Sequence, residues 1–258
     1  MTDLKDRLVD AILPHVPFDG WSEAAFRRAV ADAGASPAQA RGAFPRGAVD
    51  AAVHFHERDD ERMRDALKAA DLADMRYRDR VAHGVRARIE IASENAEAVR
   101  RGMTLFALPM HAADGLRAMW GTADAIWDAL GDTSEDANWY SKRAILSGVY
   151  GATVLYWLGD QSEGHRDTWD FLDRRIEGVM RFEKVKAQAR KSPLLSRLLA
   201  PAEALASRVR APARMPRGDL PGYWATPPAP PAAPPSPDDV VEAVPADATP
   251  IRPIGGPA

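Results

Sequence analysis

The stretch Trp21-Ser22-Glu23-Ala24-Ala25-Phe26-Arg27-Arg28-Ala29-Val30-Ala31-Asp32-Ala33-Gly34, followed by Ser36-Pro37 and a short segment to Gly42, decides the fold. Trp21, Ala25, Phe26, Ala29 and Val30 recur at i, i+3 and i+4, the spacing that puts apolar residues on one face of a helix. Gly34 ends that helix, and Ser36 with Pro37 at the first helical position starts the next. Ser22, with Ala25 three residues on, and Ser36 are both in N-cap positions, where a hydroxyl accepts a backbone N–H left over by the first turn. Phe44-Pro45 closes the short helix and a fourth begins at Arg46. Outward from here the spacing persists: Leu4, Leu8 and Ile12 upstream to about Leu13, then Met63 and Leu67, then Met75, Val81, Val85 and Ile89. No stretch sustains period-two alternation, so the chain is all-α with about nine or ten helices. Breaks are expected at 14–20, 34–37, 44–47, 108–109, 131–136 and 159–164, where Gly, Pro, Ser and Asp cluster.

Composition narrows the function classes. The chain has 258 residues, 46% of them hydrophobic, and no cysteine. That length can bury a substantial core, while the missing thiols exclude disulfide frameworks, cysteine nucleophiles, cysteine-ligated zinc and iron–sulfur clusters. The N-terminal run Met1-Thr2-Asp3-Leu4-Lys5-Asp6-Arg7 alternates charges without an apolar stretch, which predicts a cytoplasmic protein. The longest uncharged apolar-rich run, Ala144 to Gly159, is shorter than the ~20 residues a membrane-spanning helix needs. Charge is unevenly spread: residues 1–66 hold nine basic against twelve acidic side chains, and residues 181–217 hold ten against two. From Ala211 onward the chain carries 14 of its 21 prolines, including Pro227-Pro228-Ala229-Pro230-Pro231. Such a tail cannot offset its ordering entropy and is expected to be disordered.

The first sixty residues resemble the helix-turn-helix head of TetR-type regulators, with an ordinary helical hairpin as the bland alternative. The chemistry argues for the fold without the function. The would-be recognition helix offers Ser36, Gln39 and Arg41, and the head is net acidic, whereas duplex binding depends first on neutralising phosphates.

Identity is carried by the aromatic-rich centre. Trp120 and Trp127 precede the turn Gly131-Asp132-Thr133-Ser134; then come Asn138-Trp139-Tyr140, the basic pair Lys142-Arg143, and Asp167-Thr168-Trp169-Asp170-Phe171-Leu172 with Arg174-Arg175. In this ordered set the chain resembles the ninth coenzyme Q (ubiquinone) biosynthesis protein family, over roughly Leu4 to Val209. The resemblance implies a TetR-like helical fold, a homodimer, and an apolar cavity for an isoprenoid lipid or quinone precursor. It also implies no enzymatic activity, and support of the demethoxyubiquinone hydroxylase. It further assigns Asp136, Asn138, Trp139, Tyr140 and Arg143 to the surface meeting that hydroxylase.

Taken without the family, Met103, Leu105, Met119, Trp120, Ile126, Trp127, Leu146, Tyr150, Val154, Trp157 and Phe171 offer more apolar surface than polar function. They fit plain core, and they also fit an adaptable pocket, since Met and Trp fill irregular apolar shapes; they are the candidate lipid-binding residues. Trp139 follows an acidic turn, where it is either a buried helix start or an interface anchor. In Ser192 to Arg210, Leu194, Leu195, Leu198, Leu199 and Leu205 share one face while Arg190, Arg197, Arg208 and Arg210 take the other, with Pro201 kinking or dividing the helix. This segment either docks on the core or lies on an anionic membrane surface, and the charge favours the membrane.

Catalytic constellations are missing from the sequence. A di-iron hydroxylase needs Glu-x-x-His pairs, but Ile12, Ala51, Val53, Arg80, Leu108 and Ser162 stand three before the histidines. No nucleophile elbow, dinucleotide loop or P-loop is present, so no metal and no cofactor are expected. His54 and His56 point to different helical faces and are expected to be solvated or capping. Glu57 to Glu61 with Arg58, Arg62 and Arg64 is expected to be a solvated face, and Asp79 with His83 a surface hydrogen bond. The expected layout is a head at 1–66, a lipid-binding and dimerisation body at 67–189, a membrane-contact helix at 190–210 and a tail at 211–258. Together these give a cytoplasmic protein, bacterial in compartment and peripheral to the inner (cytoplasmic) membrane, that binds no nucleic acid. A TetR-like regulator with a lipid-sensing cavity is the alternative.

Overall fold

The computed structural model describes residues 2–135 and 137–191. The order is α1 (Thr2–Ile12), α2 (Val16–Asp19), α3 (Glu23–Asp32), α4 (Pro37–Ala43), α5 (Ala48–Ala69), α6 (Tyr77–Ser93), α7 (Ala96–Phe106), α8 (Ala112–Ala129), α9 (Ala137–Trp157), a 3-10 turn at Glu163–His165, and α10 (Arg166–Lys191). The protein is all-helical with a TetR-like fold, and no strand occurs among the described residues.

The caps set the geometry of the head. The Ser22 hydroxyl accepts the Ala25 N–H at 3.2 Å. Ser36 accepts the Gln39 N–H at 3.2 Å while the Gln39 side chain accepts the Ser36 N–H at 2.9 Å, a reciprocal capping box that closes both ends of the first turn of α4. Gly47 enters α5 at φ +62°, and a Cβ there would lie 2.9 Å from the Glu23 carboxylate, so only glycine fits both the backbone and the space.

Two apolar cores result. One joins α1, α3, α4 and the first half of α5 through Leu8, Ile12, Phe26, Phe44 and Phe55; the other joins α5 to α10 through Met63, Val85, Ile126, Tyr150, Trp157 and Leu172. α5 belongs to both, so the expected boundary at residue 66 falls inside its last turn rather than at a break. Trp21 donates its indole N–H to the Ala98 carbonyl at 3.0 Å, which holds α7 to the first core. Gly84 brings α6 against α8, since a Cβ there would lie 2.9 Å from Ile126.

The inward stripe of α5 is interrupted by charge. Ala52, His56, Asp59, Asp60, Met63 and Leu67 lie at helical spacing on one face, and Asp59 and Asp60 are only 2% and 4% exposed. This corrects the expectation of a solvated acidic face at Asp59 and Asp60, while Glu57, Glu61 and Arg62 of the same run are exposed. Arg88 of α6, itself buried, donates to Asp60 at 2.7 Å and reaches Asp59 at 3.4 Å. Thr122 of α8 donates to Asp60 at 2.9 Å and accepts from His56 Nε2 at 2.8 Å, while Arg88 Nη2 faces His56 Nδ1 at 3.3 Å. Every contact is satisfied by a neutral imidazole carrying its proton on Nε2. Burial accordingly lowers the His56 pKa to about 4, against the pull of Asp60, and pushes the neighbouring Tyr150 phenol up to about 12. His56 is therefore mostly covered, and engaged through both ring nitrogens rather than solvated or capping. His54 meets Asp6 at 3.0 Å, and Asp79 accepts from Arg76 at 2.7 Å instead of pairing with His83.

Because the Arg88 guanidinium is sealed in, removing one counter-charge strands it. Asp60→Ala is expected to lower the unfolding free energy in urea by about 3–5 kcal/mol; a loss below ~1 kcal/mol would contradict this account of the junction.

Candidate functional site

α9 presents two apolar stripes. Leu146, Tyr150, Thr153, Val154 and Trp157 point into the body and are buried. Asn138, Ser141, Lys142, Ile145 and Val149 are rotated to the side and face a cavity of about 200 Å3 closed by Tyr77, Arg78 and Val81 of α6, Trp127 of α8, and Ile176 and Val179 of α10. Leu146 touches this cavity from the edge of the first stripe. A shallower groove of about 500 Å3, sharing Ile145, Val149 and Val179, runs on past Gly148, Ala152, Arg174 and Arg175. The walls are aliphatic and aromatic, and the polar groups are Tyr77, Arg78, Asn138, Ser141 and Lys142. Arg78 pairs with Asp79 at 3.1 Å, and Lys142 donates to Asp132 and Ser134 at 2.7 Å each. Such a lining favours an apolar guest with few polar atoms.

On the other side of the same turns lies an aromatic cluster. Trp139 packs on Tyr140 and Trp120 with ring centroids 4.8 and 5.9 Å away, and Tyr140 is exposed. The fully buried guanidinium of Arg143 sits 4.0 Å from the Trp139 ring centroid. It donates to Asp124 at 2.5 Å, to Asp132 at 3.1 Å and to the Trp139 carbonyl at 3.2 Å, clamping α8, the turn after it and the start of α9 together. Trp139 is thus half-buried, its inner face held and its outer edge available.

The candidate lipid-binding residues do not line one pocket. Trp127 and Leu146 reach the main cavity, as does Asn138 of the partner set, while Ile126 lies behind it in the core. Met103, Met119, Tyr150 and Val154 surround a separate void of about 30 Å3 beside His56 and Arg88. Leu105 edges a groove with Phe18 and Leu108. Trp120 belongs to the surface cluster, Trp157 packs against His165, and Phe171 stacks on Tyr156 at 4.5 Å. The physical reason is the helical period: a shift of one residue along α9 separates the core stripe from the cavity stripe. Tyr77, Val81, Ile145, Val149, Ile176 and Val179 were missed as lining residues because nothing in their spacing distinguishes them from core. The membrane candidates Leu194, Leu195, Leu198, Leu199, Leu205, Arg197 and Arg208, the tail, and the partner candidate Asp136 lie outside the described residues. Among the described residues no helix is long and apolar enough to cross a membrane, and no three His, Asp or Glu side chains group as metal ligands.

The head shows what became of its nucleic-acid candidates. Ser36 and Gln39 are engaged with each other in the capping box, and Arg41 pairs with Glu23 and donates to the Pro45 carbonyl at 3.3 Å.

A helical head on a cavity-bearing helical body is the TetR-like class of architecture. A TetR transcriptional regulator from Nitrosomonas europaea matches with a TM-score of 0.56 at 18% identity, over 68% of this chain and 97% of that one, which speaks for the fold alone. The COQ9 family model matches residues 112–183, the segment from α8 into α10 that supplies three of the four cavity walls and the Trp139 cluster, and over that segment the chain is similar to the COQ9 family. The chain is 29% identical over 189 residues to the mitochondrial ubiquinone biosynthesis protein COQ9 of Drosophila melanogaster, covering 72% of this chain and 58% of that protein. It is 30% identical over 184 residues to the rat protein of the same name, covering 69% and 59%, and 29% identical to the human one, covering 69% and 58%. The chain thus spans under two thirds of the length of these relatives.

The Arg143 clamp has an acid limit. Burial of Asp132 opposes its ionisation, but hydrogen bonds from Lys142, Ser134 and Arg143 outweigh it and bring the carboxyl pKa down to about 2. A depressed carboxylate stabilises above its unfolded value near ~3.9 and loses that contribution as pH falls through the folded value. The near-UV circular dichroism of the aromatic cluster is therefore expected to decay between pH ~4 and ~2, and Asp132→Asn to weaken it already at neutral pH. A flat wild-type signal across that window, or a variant indistinguishable from wild type, would contradict the clamp.

Proposed function

We propose that the chain is an accessory lipid-binding protein of ubiquinone biosynthesis. It holds an isoprenoid or quinone precursor in the cavity between α6, α8, α9 and α10, and presents it, as a homodimer and without catalysing the reaction, to the demethoxyubiquinone hydroxylase. The observation that carries this reading is that cavity and aromatic cluster share the first two turns of α9. Asn138, Ser141 and Lys142 line one side while Trp139, Tyr140 and Arg143 form the other, so cargo and partner sit one helix diameter apart. The cavity alone is smaller than the ~300–1,000 Å3 of drug-sized sites; it fits a head or chain end, with the adjoining groove taking the rest. Similarity to proteins named for ubiquinone biosynthesis supports the pathway. The basic, leucine-faced segment 190–210 supports contact with the cytoplasmic face of a membrane. The internally paired Ser36, Gln39 and Arg41 support a head that does not bind nucleic acid.

Trp139→Lys is expected to abolish affinity for the hydroxylase in a titration of the two purified proteins while leaving the thermal unfolding of the carrier within a few degrees of wild type. Undiminished affinity would remove the role given to the cluster. Deleting residues 190–210 is expected to end co-flotation with anionic liposomes, and unchanged flotation would remove the membrane contact.

A further inference from the structure

Two residues lining the cavity between α6, α8, α9 and α10 carry a buried donor without a hydrogen-bond partner, Arg78 at Nε, which lies beside the Asp79 carboxylate, and Trp127 at its indole nitrogen, the neutral one of the two. Trp127 lines it and is 7% exposed, and its indole N–H is buried with no hydrogen-bond acceptor in the structure. A buried donor left in this state is costly, and native proteins almost always satisfy it with protein, water or ligand. The ring itself is well held, with Tyr77 at 5.8 Å between centroids and the Lys142 ammonium 5.5 Å from its face, so the N–H has little freedom to seek another acceptor. Resting on the reading of this cavity as the lipid site, we propose that the Trp127 indole N–H is its specificity-determining donor. The cavity then takes an amphiphile whose head carries a neutral acceptor oxygen, a carbonyl or ether, and discriminates against a bare hydrocarbon of the same shape.

Two observations set the class of acceptor. The cations lining the cavity each already face a carboxylate, Lys142 with Asp132 at 2.7 Å and Arg78 with Asp79 at 3.1 Å, the two carboxylates being shared with Arg143 and Arg76. A phosphate or carboxylate head would have to break those pairs to gain a counter-charge, whereas a neutral oxygen needs only the indole donor. The volume of about 200 Å3 suits a substituted ring or a short chain end rather than a whole lipid, with the groove past Gly148 and Ala152 left for the apolar remainder. A quinone ring carbonyl and a glycerolipid ester carbonyl share this chemistry.

The test compares three probes on the full chain by calorimetric titration: a benzoquinone bearing one isoprene unit, prenylbenzene as its oxygen-free counterpart, and a short-chain diacylglycerol. Trp127→Phe keeps the ring and removes the N–H. Wild type is expected to bind the quinone more tightly than prenylbenzene, by roughly 2- to 12-fold for one neutral hydrogen bond. Trp127→Phe is expected to erase that preference while leaving prenylbenzene affinity unchanged. In 15N-tryptophan-labelled protein, the indole signal missing from Trp127→Phe should move downfield on adding the quinone and stay in place with prenylbenzene. The diacylglycerol arm identifies the source: binding like the quinone assigns the acceptor to an ester carbonyl as well, and weaker binding restricts it to the ring. Equal wild-type affinities for quinone and prenylbenzene, a Trp127→Phe variant that retains the preference, or an unmoved indole signal would overturn the donor role while leaving the carrier reading standing. Failure of all three probes to bind wild type would overturn both.

Discussion

Arg88 is the point on which the helical body turns. Its guanidinium, sealed between α5 and α6, is tolerable only because Asp59 and Asp60 arrive from one helix while Thr122 and His56 complete a chain of donors and acceptors from α8 and α5. Buried charge of this kind contributes little net stability compared with an apolar filling, but breaking it is expensive, so it favours one relative placement of α5, α6 and α8 over its neighbours. That placement fixes Trp127 on α8 opposite Tyr77 and Val81 on α6, and the cavity is the space left when α9 and α10 close over them. Close approach of α6 to α8 at Gly84 adds to the same constraint.

A second buried arginine does the corresponding work between α8 and α9. Arg143 draws Asp124 and Asp132 onto α9 and places its face under Trp139. The cavity and the aromatic cluster are therefore built from alternate sides of the same two turns, each braced by charge rather than by apolar packing alone. Asp160 is a smaller instance of the same economy: its carboxylate accepts from Thr168 and Ser162 and caps α10, and these bonds hold its pKa well below the ordinary range.

Much of the fold was legible in the sequence because capping and helical spacing are local. Ser22 and Ser36 cap as their positions imply, and the breaks at Gly34, Phe44, Pro109, Gly131 and Gly159 fall between helices. The interior electrostatics were not legible, because whether an acidic pair such as Asp59-Asp60 is solvated depends on an arginine 28 residues further on. The one available signal was that both lie on the stripe of Ala52, Met63 and Leu67. The aromatic cluster was visible in the sequence as Asn138-Trp139-Tyr140 and the Lys142-Arg143 pair, on which the resemblance rests. The cavity was not, since Ile145 and Val149 differ from Leu146 and Tyr150 by a rotation that only tertiary packing decides.

The central claim is that this chain carries an isoprenoid. Its most direct test is native mass spectrometry of the purified full-length chain followed by solvent extraction and identification of the released lipid. The account predicts a dimer from which an isoprenoid quinone or its precursor is recovered. A lipid-free protein that takes up no added isoprenoid would contradict it and would leave the aromatic centre as core packing alone.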